Sequence, residues 1–384
     1  MNVNCEEDVY ELLIDWVYYD YENRKQFFGL LFENLRLLYV PVTYVQKIIK
    51  AEELVLNNPA SYGAVIQYER LVSKLAKGTN NIVKSKYTGA AGGPRRNFKD
   101  MSILVCGGKG TEGLCELYNP NTNSWKGLRE MPSGRSNAAI FGLANEEVCF
   151  VGGEDKLKSI VNASVSYQVG YGWKEGIAVP GQNRTGARTA SLGGKTYLIG
   201  GISSDEGYTN SVERFNPDCN RWVPVKSMDF PRFSFGCAEL GGFIYSCGGF
   251  DGEKDLRDCE FFMPDANEWT PISSLNVARS GCKTVAAEGK LYTLGGWNGT
   301  EILSSCEVYD PRSNRWSRIE SMNRPRHGLD VVVIGNVIYA IGGWNGRKKL
   351  SSVERYHTRS DSWELVKPMS VGRWLTTAIT LPAH

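Results

Sequence analysis

The chain has 384 residues, 42% hydrophobic and 22% charged, with a formal net charge of +2. That length exceeds one ordinary domain, and the composition is that of ordinary globular protein, which excludes disordered and collagen-like classes. Near-neutral charge excludes a dedicated nucleic-acid or membrane surface, and no apolar run approaches the ~18 residues of a membrane span.

Residues 4–75 read as helical. Asn4 can cap a first helix whose apolar stripe is Val9, Leu12, Leu13, Trp16 and Val17, with Glu6, Glu7 and Asp8 favourable in its first turn. Phe27, Phe28, Leu31 and Leu35 suggest a second helix. Thr43 caps a third through Val45, Ile48 and Ile49, and Asn58-Pro59 opens a fourth. Antiparallel helix pairs with short loops follow. Residues 76–99 carry no apolar period. They hold Gly89, Gly92, Gly93 and Pro94 among Lys77, Lys84, Lys86, Arg95, Arg96 and Lys99, with no acid, which reads as a solvated basic linker.

From residue 100 onward one unit recurs. Paired glycines close apolar runs at Gly107-Gly108, Gly152-Gly153, Gly200-Gly201, Gly248-Gly249, Gly295-Gly296 and Gly342-Gly343, at steps of 45, 48, 48, 47 and 47 residues. Each copy reads as four strands. In the third, residues 187–192 and 196–199 form one hairpin, residues 202–209 a loop, and residues 212–215 and 222–225 a second hairpin. A sheet of this kind cannot bury both faces alone, so it stacks on its neighbours. The radial way of doing so is a β-propeller.

Trp125, Trp173, Trp222, Trp269, Trp316 and Trp363 recur once per copy and are expected between adjacent blades. Glu116, Glu213, Glu260, Glu307 and Glu354 stand two residues before an aromatic and are expected to accept backbone N–H bonds. The second copy departs: Val165 stands where the glutamate belongs, and Tyr167 to Trp173 is one residue short, so strand pairing there is expected to be the least regular. The first copy begins at Ile103 with its second strand, while Trp374 to Leu381 is a strand with no blade of its own. The tail therefore supplies the missing strand and closes the ring, leaving no free edge.

Gly-Gly, Glu-x-aromatic and Trp at these spacings, six times over, resemble the kelch motif across residues 100–384. The stretch Phe32-Glu-Asn-Leu-Arg-Leu-Leu-Tyr-Val-Pro41, followed by Glu53-Leu-Val-Leu-Asn-Asn-Pro59, is similar to the BACK domain that precedes kelch repeats in BTB-kelch proteins. The resemblance implies a mainly β protein in three parts. Residues 1–75 are a partial BACK-like helical domain, 76–99 a basic linker, and 100–384 a six-bladed kelch β-propeller closed by the C-terminal strand. It also implies that the BTB domain expected before BACK is absent from this chain.

Catalytic motifs dissolve on inspection. Gly108-Lys-Gly-Thr-Glu-Gly113 fits G-x-G-x-x-G but leads into a strand, where a dinucleotide site needs a helix N-terminus. Gly193-Gly194-Lys195-Thr196 has Thr189 where a P-loop needs its first glycine, and is a hairpin turn. Three histidines, His327, His357 and His384, support neither a triad nor a multi-histidine metal site. No catalytic residue, metal or cofactor is expected. Ten cysteines without Cys-x-x-Cys, and no signal peptide, indicate reduced, buried thiols in a cytoplasmic protein.

What remains is a binding surface. Arg135, Arg184, Arg232, Arg279, Arg326 and Arg373 fall at the interblade connections, each followed seventeen or eighteen residues later by the second glycine of the next pair where there is one. They are expected to ring the channel mouth, joined by Phe250, Trp297, Trp344, Tyr208, Arg257, Arg347, Lys348 and Lys349 from the other loops. Arginine forks carboxylates and aromatics anchor recognition surfaces, so an acidic or phosphorylated peptide is the expected ligand class. An arginine repeated in every blade can instead bond loop carbonyls and be structural, and Trp297 and Trp344 can pack on the preceding glycines. The family resemblance implies a substrate-recognition component of a cullin-RING ubiquitin ligase, the propeller holding a target protein and the BTB and adjoining helices a cullin scaffold. Other kelch proteins bind actin, the alternative partner.

Overall fold

The computed structural model describes residues 6–32, 35, 42–58, 61, 64–65, 101–143, 146–175, 184–192, 194–216, 219–264 and 266–382. The chain divides into two compact units, residues 1–96 and 97–384. The expected linker 76–99 and the Asn4 cap lie outside the described residues.

In the helical unit, Glu6–Tyr19, Tyr21–Arg24, Phe28–Phe32, Val42–Lys47 and Glu53–Leu56 enclose one core. It holds Tyr10, Val17, Phe28, Phe32, Leu35, Val45, Ile49, Leu54 and Val55, with Val9, Leu13 and Ile14 packed against it. The first helix is thus rotated from its expected stripe, leaving Leu12 47% and Trp16 40% exposed. Tyr10, Ile14 and Val17 also recur at helical spacing, and that set faces the core. Trp16 lies outside it, under the Arg24 guanidinium at 4.7 Å. Phe27 and Leu31 are likewise exposed, while Phe28 and Phe32 are buried. Val42–Lys47 begins before Thr43, which is therefore inside the helix rather than its cap. Asn58 does cap as expected, its Oδ1 accepting the Ser61 N–H at 3.1 Å.

Among its described residues the second unit forms six four-stranded antiparallel sheets. The fifth is representative: Lys283–Ala287, Lys290–Leu294, Cys306–Asp310 and Arg315–Ile319, in sequence order across the sheet. The second sheet is as regular as the rest, with Tyr167 opposite Trp173 just as Tyr309 is opposite Trp316. Its shortened turn is absorbed without loss of register. A further three-stranded sheet, Arg184–Thr185, Ile202–Ser203 and Gly207–Tyr208, occupies what the sequence suggested was plain loop at 202–209.

Met101–Cys106, Cys115–Asn119 and Ser124–Gly127 take their fourth member from the other end of the chain. Thr377–Pro382 pairs with Met101–Cys106 from Met101↔Pro382 to Cys106↔Thr377. This tail strand also neighbours two inner strands, Ala139–Gly142 of the second sheet and Asp330–Ile334 of the sixth. Trp374 and Leu375, expected within the strand, precede it, and Leu375 has a φ of 56°.

That left-handed residue belongs to a cycle. Asn137 N–H donates to Leu375 C=O at 2.8 Å, Leu375 to Gly328 at 2.8, Gly328 to Gly281 at 2.8, Gly281 to Ser234 at 2.7, Ser234 to Gly186 at 3.1, and Gly186 back to Asn137 at 3.1. All six residues have positive φ. The indoles repeat a second bond between sheets. Nε1 of Trp173, Trp269, Trp316 and Trp363 donates to Arg129, Lys226, Ser273 and Glu320 carbonyls of the preceding sheet's end, and Trp125 donates to Lys367 C=O at 2.7 Å. The tryptophans therefore lie between sheets as expected. Trp222 Nε1 has no acceptor among the described residues.

All six residues of Met101–Cys106 are buried, so losing the tail strand bares a buried edge. Deleting residues 374–384 is expected to lower the melting temperature by roughly 10 °C or more, measured by calorimetry; an unchanged melt would show that the tail carries no stability.

Candidate functional site

The six arginines are placed together by the fold, but not at a solvent-facing mouth. Arg232, Arg279, Arg326 and Arg373 are 0% exposed, Arg135 1% and Arg184 5%. Arg279 Nη1 donates to Gly295 C=O and Ser305 C=O, both at 2.9 Å, and its Nη2 to Glu307 Oε1 at 2.7 Å. Arg232 meets Glu260, Arg326 meets Glu354, and Arg373 meets Glu116 at 2.8, 2.8 and 2.7 Å, with Glu213 at 3.6 Å from Arg184. Four of the five carboxylates also do what their regularity suggested: Glu260, Glu307, Glu354 and Glu116 accept the backbone N–H of Asp229, Asn276, Asn323 and Ser370. The expected arginine ring is corrected accordingly: these guanidiniums are internal ties between an interblade connection, a glycine pair and a third strand. No partner can reach them without opening the sheets.

The glycine pair is part of the tie. Gly295 and Gly296 have φ of 61° and 108°, and a Cβ on Gly295 would lie 2.5 Å from Arg326 C=O. Close approach of the next connection requires its absence. Burial raises the Glu260 carboxyl above its usual range, and the Arg232 charge draws it back.

The aromatic members of the expected surface are held by backbone. Phe250 pairs with Phe233, Trp297 with Ser280 and Trp344 with His327 through reciprocal N–H to C=O bonds of 2.8–3.0 Å. Their loops turn on Asp251, Asn298 and Asn345, whose Oδ1 atoms each accept two following backbone N–H groups at 2.8–3.0 Å. Two aromatic groups result. Tyr208, 40% exposed, meets Phe233 at 6.1 Å and Phe250 at 5.6 Å. Trp374 meets His327 and Trp344, both at 6.0 Å, with Lys109 Nζ 5.3 Å from its ring centre. Trp297 is half-buried and belongs to neither.

Charge separates the same loops. Arg347 and Lys348 are exposed beside half-buried Lys349, whose Nζ bonds Lys109 C=O, and the loop holds no acid. Exposed Asp205 and Glu206 flank Tyr208 without a base. In the loop from Phe250 to Asp258, Asp251, Glu253, Asp255 and Asp258 outnumber Lys254 and Arg257. Sequence reasoning missed this division because it collected cations by loop position; counting both signs loop by loop reveals it.

His327 is half-buried against this bed, and the desolvation lowers its pKa from 6.5 to about 4. Among the described residues, no group of three or more histidine, cysteine, aspartate or glutamate side chains could hold a metal. Among the described residues the thiols are free, but Cys219 is exposed and Cys237 half-buried rather than buried as expected. No helix of the described residues is long and apolar enough to cross a membrane.

Four-stranded sheets closed by Gly-Gly pairs, tied by Arg–Glu and wedged by tryptophan define a kelch-repeat protein. The description "KLHDC2/KLHL20/DRC7 Kelch-repeats domain" matches residues 186–376, and "BTB And C-terminal Kelch" (BACK) matches residues 1–50. The chain thus carries a kelch-repeat domain and part of a BACK domain, and the relatives it matches are kelch-like proteins. It is 27% identical over 273 residues to human (Homo sapiens) Kelch-like protein 28, covering 67% of this chain and 37% of that protein. It is 25% identical over 254 residues to human Kelch-like protein 38, covering 64% and 43%. Human Kelch-like protein 33 is 29% identical over 185 residues, covering 42% and 34%. The chain thus spans well under half the length of these relatives.

Two outcomes follow from the geometry. Glu307→Ala strands a fully buried Arg279 and is expected to cost about 3–5 kcal/mol in denaturant unfolding, whereas Arg279→Met with Glu307→Leu should cost much less; equal losses would contradict the ion-pair role. For His327 the folded state favours the neutral ring, so its contribution is complete above pH 6.5 and is lost as pH falls through about 4. His327→Gln should flatten that acid-side fall in melting temperature; an identical pH profile would show that the imidazole does not charge there.

Proposed function

We propose that residues 100–384 form a closed six-bladed propeller whose loop face is a non-enzymatic protein-recognition surface. Closure is supported by the six-membered cycle of backbone bonds and by the tail strand neighbouring the inner strands of both the second and the sixth sheets. On such a ring the Arg347–Lys349 loop of the sixth blade adjoins Lys109 of the first, opposite the acidic loops of the third and fourth.

The ligand is an acidic or phosphorylated segment of a target protein, bound where these cations surround Trp344 and Trp374. The observation carrying this reading is that Arg347 and Lys348 are exposed, while the repeated arginines are engaged inside the sheets. Arginine offers forked donors to a carboxylate or phosphate, and the aromatic bed supplies rigid contact area. The likeness to kelch-like proteins supports reading this surface as the substrate-recognition component of a cullin-RING ubiquitin ligase working in the cytoplasm.

The test is an immobilised array of acidic, phosphorylated and basic peptides. The wild-type chain is expected to retain acidic or phosphorylated sequences in a salt-sensitive manner. Arg347→Glu, Lys348→Glu and Lys349→Glu together should abolish retention while leaving the melting temperature within a few degrees. Preference for basic peptides, or retention by the triple variant, would overturn the reading; saturable co-sedimentation with actin filaments would favour the cytoskeletal alternative.

A further inference from the structure

The inner strands begin at equivalent positions, four residues after each buried arginine: Ala139, Arg188, Gly236, Lys283, Asp330 and Thr377. Successive inner strands are neighbours, so these residues occupy one level of the central barrel of strands. Three carry charge, two positive and one negative. Lys283 Nζ lies 3.0 Å from Asp330 Oδ1, and the same carboxylate accepts the backbone N–H of Val331 and of Ala378, both at 2.7 Å. Asp330 thus binds one cation and two amides directly, and its charge also favours that of Arg188 from beyond ion-pair distance.

Arg188 has no such partner. It is 9% exposed, its Nε donates to Phe235 C=O at 2.9 Å and its Nη1 to Ala187 C=O at 3.2 Å. Both acceptors are neutral, and its Nη2 has no acceptor among the described residues. The five paired arginines of the repeat show the contrast, each with a glutamate at 2.7–3.6 Å. Between Arg188 and Lys283, the fourth sheet contributes Gly236 at this level. A Cβ there would lie 1.9 Å from Thr284 Oγ1, so the strand of Gly236 packs closely on the strand that bears Lys283. The charge of Arg188 further lowers the pKa of Lys283, whose desolvation already does so, and both cations act on the half-buried thiol of Cys237. The level thus holds two cations, the Lys283 side chain 17% exposed, against one carboxylate, and the excess positive charge favours a counter-ion there.

We propose that the first rung of the inner strands is a binding site for one small monovalent anion, chloride in the simplest case, held between the Arg188 guanidinium and the Lys283 ammonium. One negative charge balances the level; a divalent ion overshoots it. Arg135 also has an Nη2 with no protein acceptor, but it is 1% exposed and has no second cation beside it, so it offers no equivalent site.

The test compares the full chain in sodium chloride, sodium gluconate and sodium phosphate at constant ionic strength. Wild type is expected to show a saturable rise in melting temperature with chloride over gluconate, and bromide-soaked crystals an anomalous peak between Arg188 and Lys283. Arg188→Gln should weaken chloride binding by roughly tenfold or more. If that variant does not fold, Lys283→Gln must show the same loss, and Asp330→Asn, which frees Lys283, should bind chloride more tightly than wild type. A melt indifferent to chloride, a chloride effect retained in both cation variants, or phosphate acting in place of chloride would overturn the assignment.

Discussion

A guanidinium removed from water must find acceptors for its donors and a charge to balance its own, or its burial costs several kcal/mol. That demand organises the β-unit. Each repeated arginine lies where the chain crosses from one sheet to the next, and its Nη1 reaches both the first glycine carbonyl of the second strand and a carbonyl just before the third. Its carboxylate partner then accepts the N–H of the residue three before the arginine. One ion pair thus joins segments distant in sequence, and no segment can shift without exposing an unsatisfied group.

The second sheet shows what happens when the acid is lost. Val165 replaces it, and Phe150, fully buried, stands opposite where the other sheets have Val105, Leu198, Ser246, Thr293 or Ala340. Three residues before Arg135 is Pro132, which has no N–H to satisfy. Acceptor and donor have disappeared together, and apolar volume takes up the room. Arg135 keeps its bonds to Gly152 and Ala163 carbonyls, and burial lowers its pKa to about 10. The same logic holds at the seam between the chain's ends. Arg373 treats Glu116 as its sheet partner, Lys367 N–H bonds Asn123 Oδ1, and Tyr118 meets Tyr339 at 6.1 Å, as Tyr309 meets Tyr245 at 6.2 Å.

Period was legible because sheets stacked in series repeat the same packing problem. The glycine pairs, the indoles, the glutamates and the tail strand could all be read in advance, since each answers a constraint that recurs at one position per copy. The first helix was harder: Leu12 and Trp16 fit one helical stripe and Tyr10, Ile14 and Val17 another, and only the partners Phe28, Phe32 and Val45 decide between them. The arginines failed differently. Their position was found correctly, but exposure cannot be read from position, and an arginine beside a loop looks like a ligand group until its glutamate is seen 28 residues further on in three successive copies.

This gives a physical criterion for separating scaffold from recognition in a repeat. Whatever every copy needs, such as the Arg–Glu tie, is consumed by the stacking and is unavailable to a ligand. Whatever only one copy carries has no role in that shared packing. Arg347 and Lys349 stand where the fourth sheet's loop has Glu253 and Asp255, with Lys348 matched by Lys254, and Arg188 and Lys283 have no counterparts where the other inner strands begin with alanine, glycine, aspartate or threonine. Departures from the period, not the period itself, are where this chain departs from a bare scaffold, and both departures place excess positive charge where an anionic group can meet it.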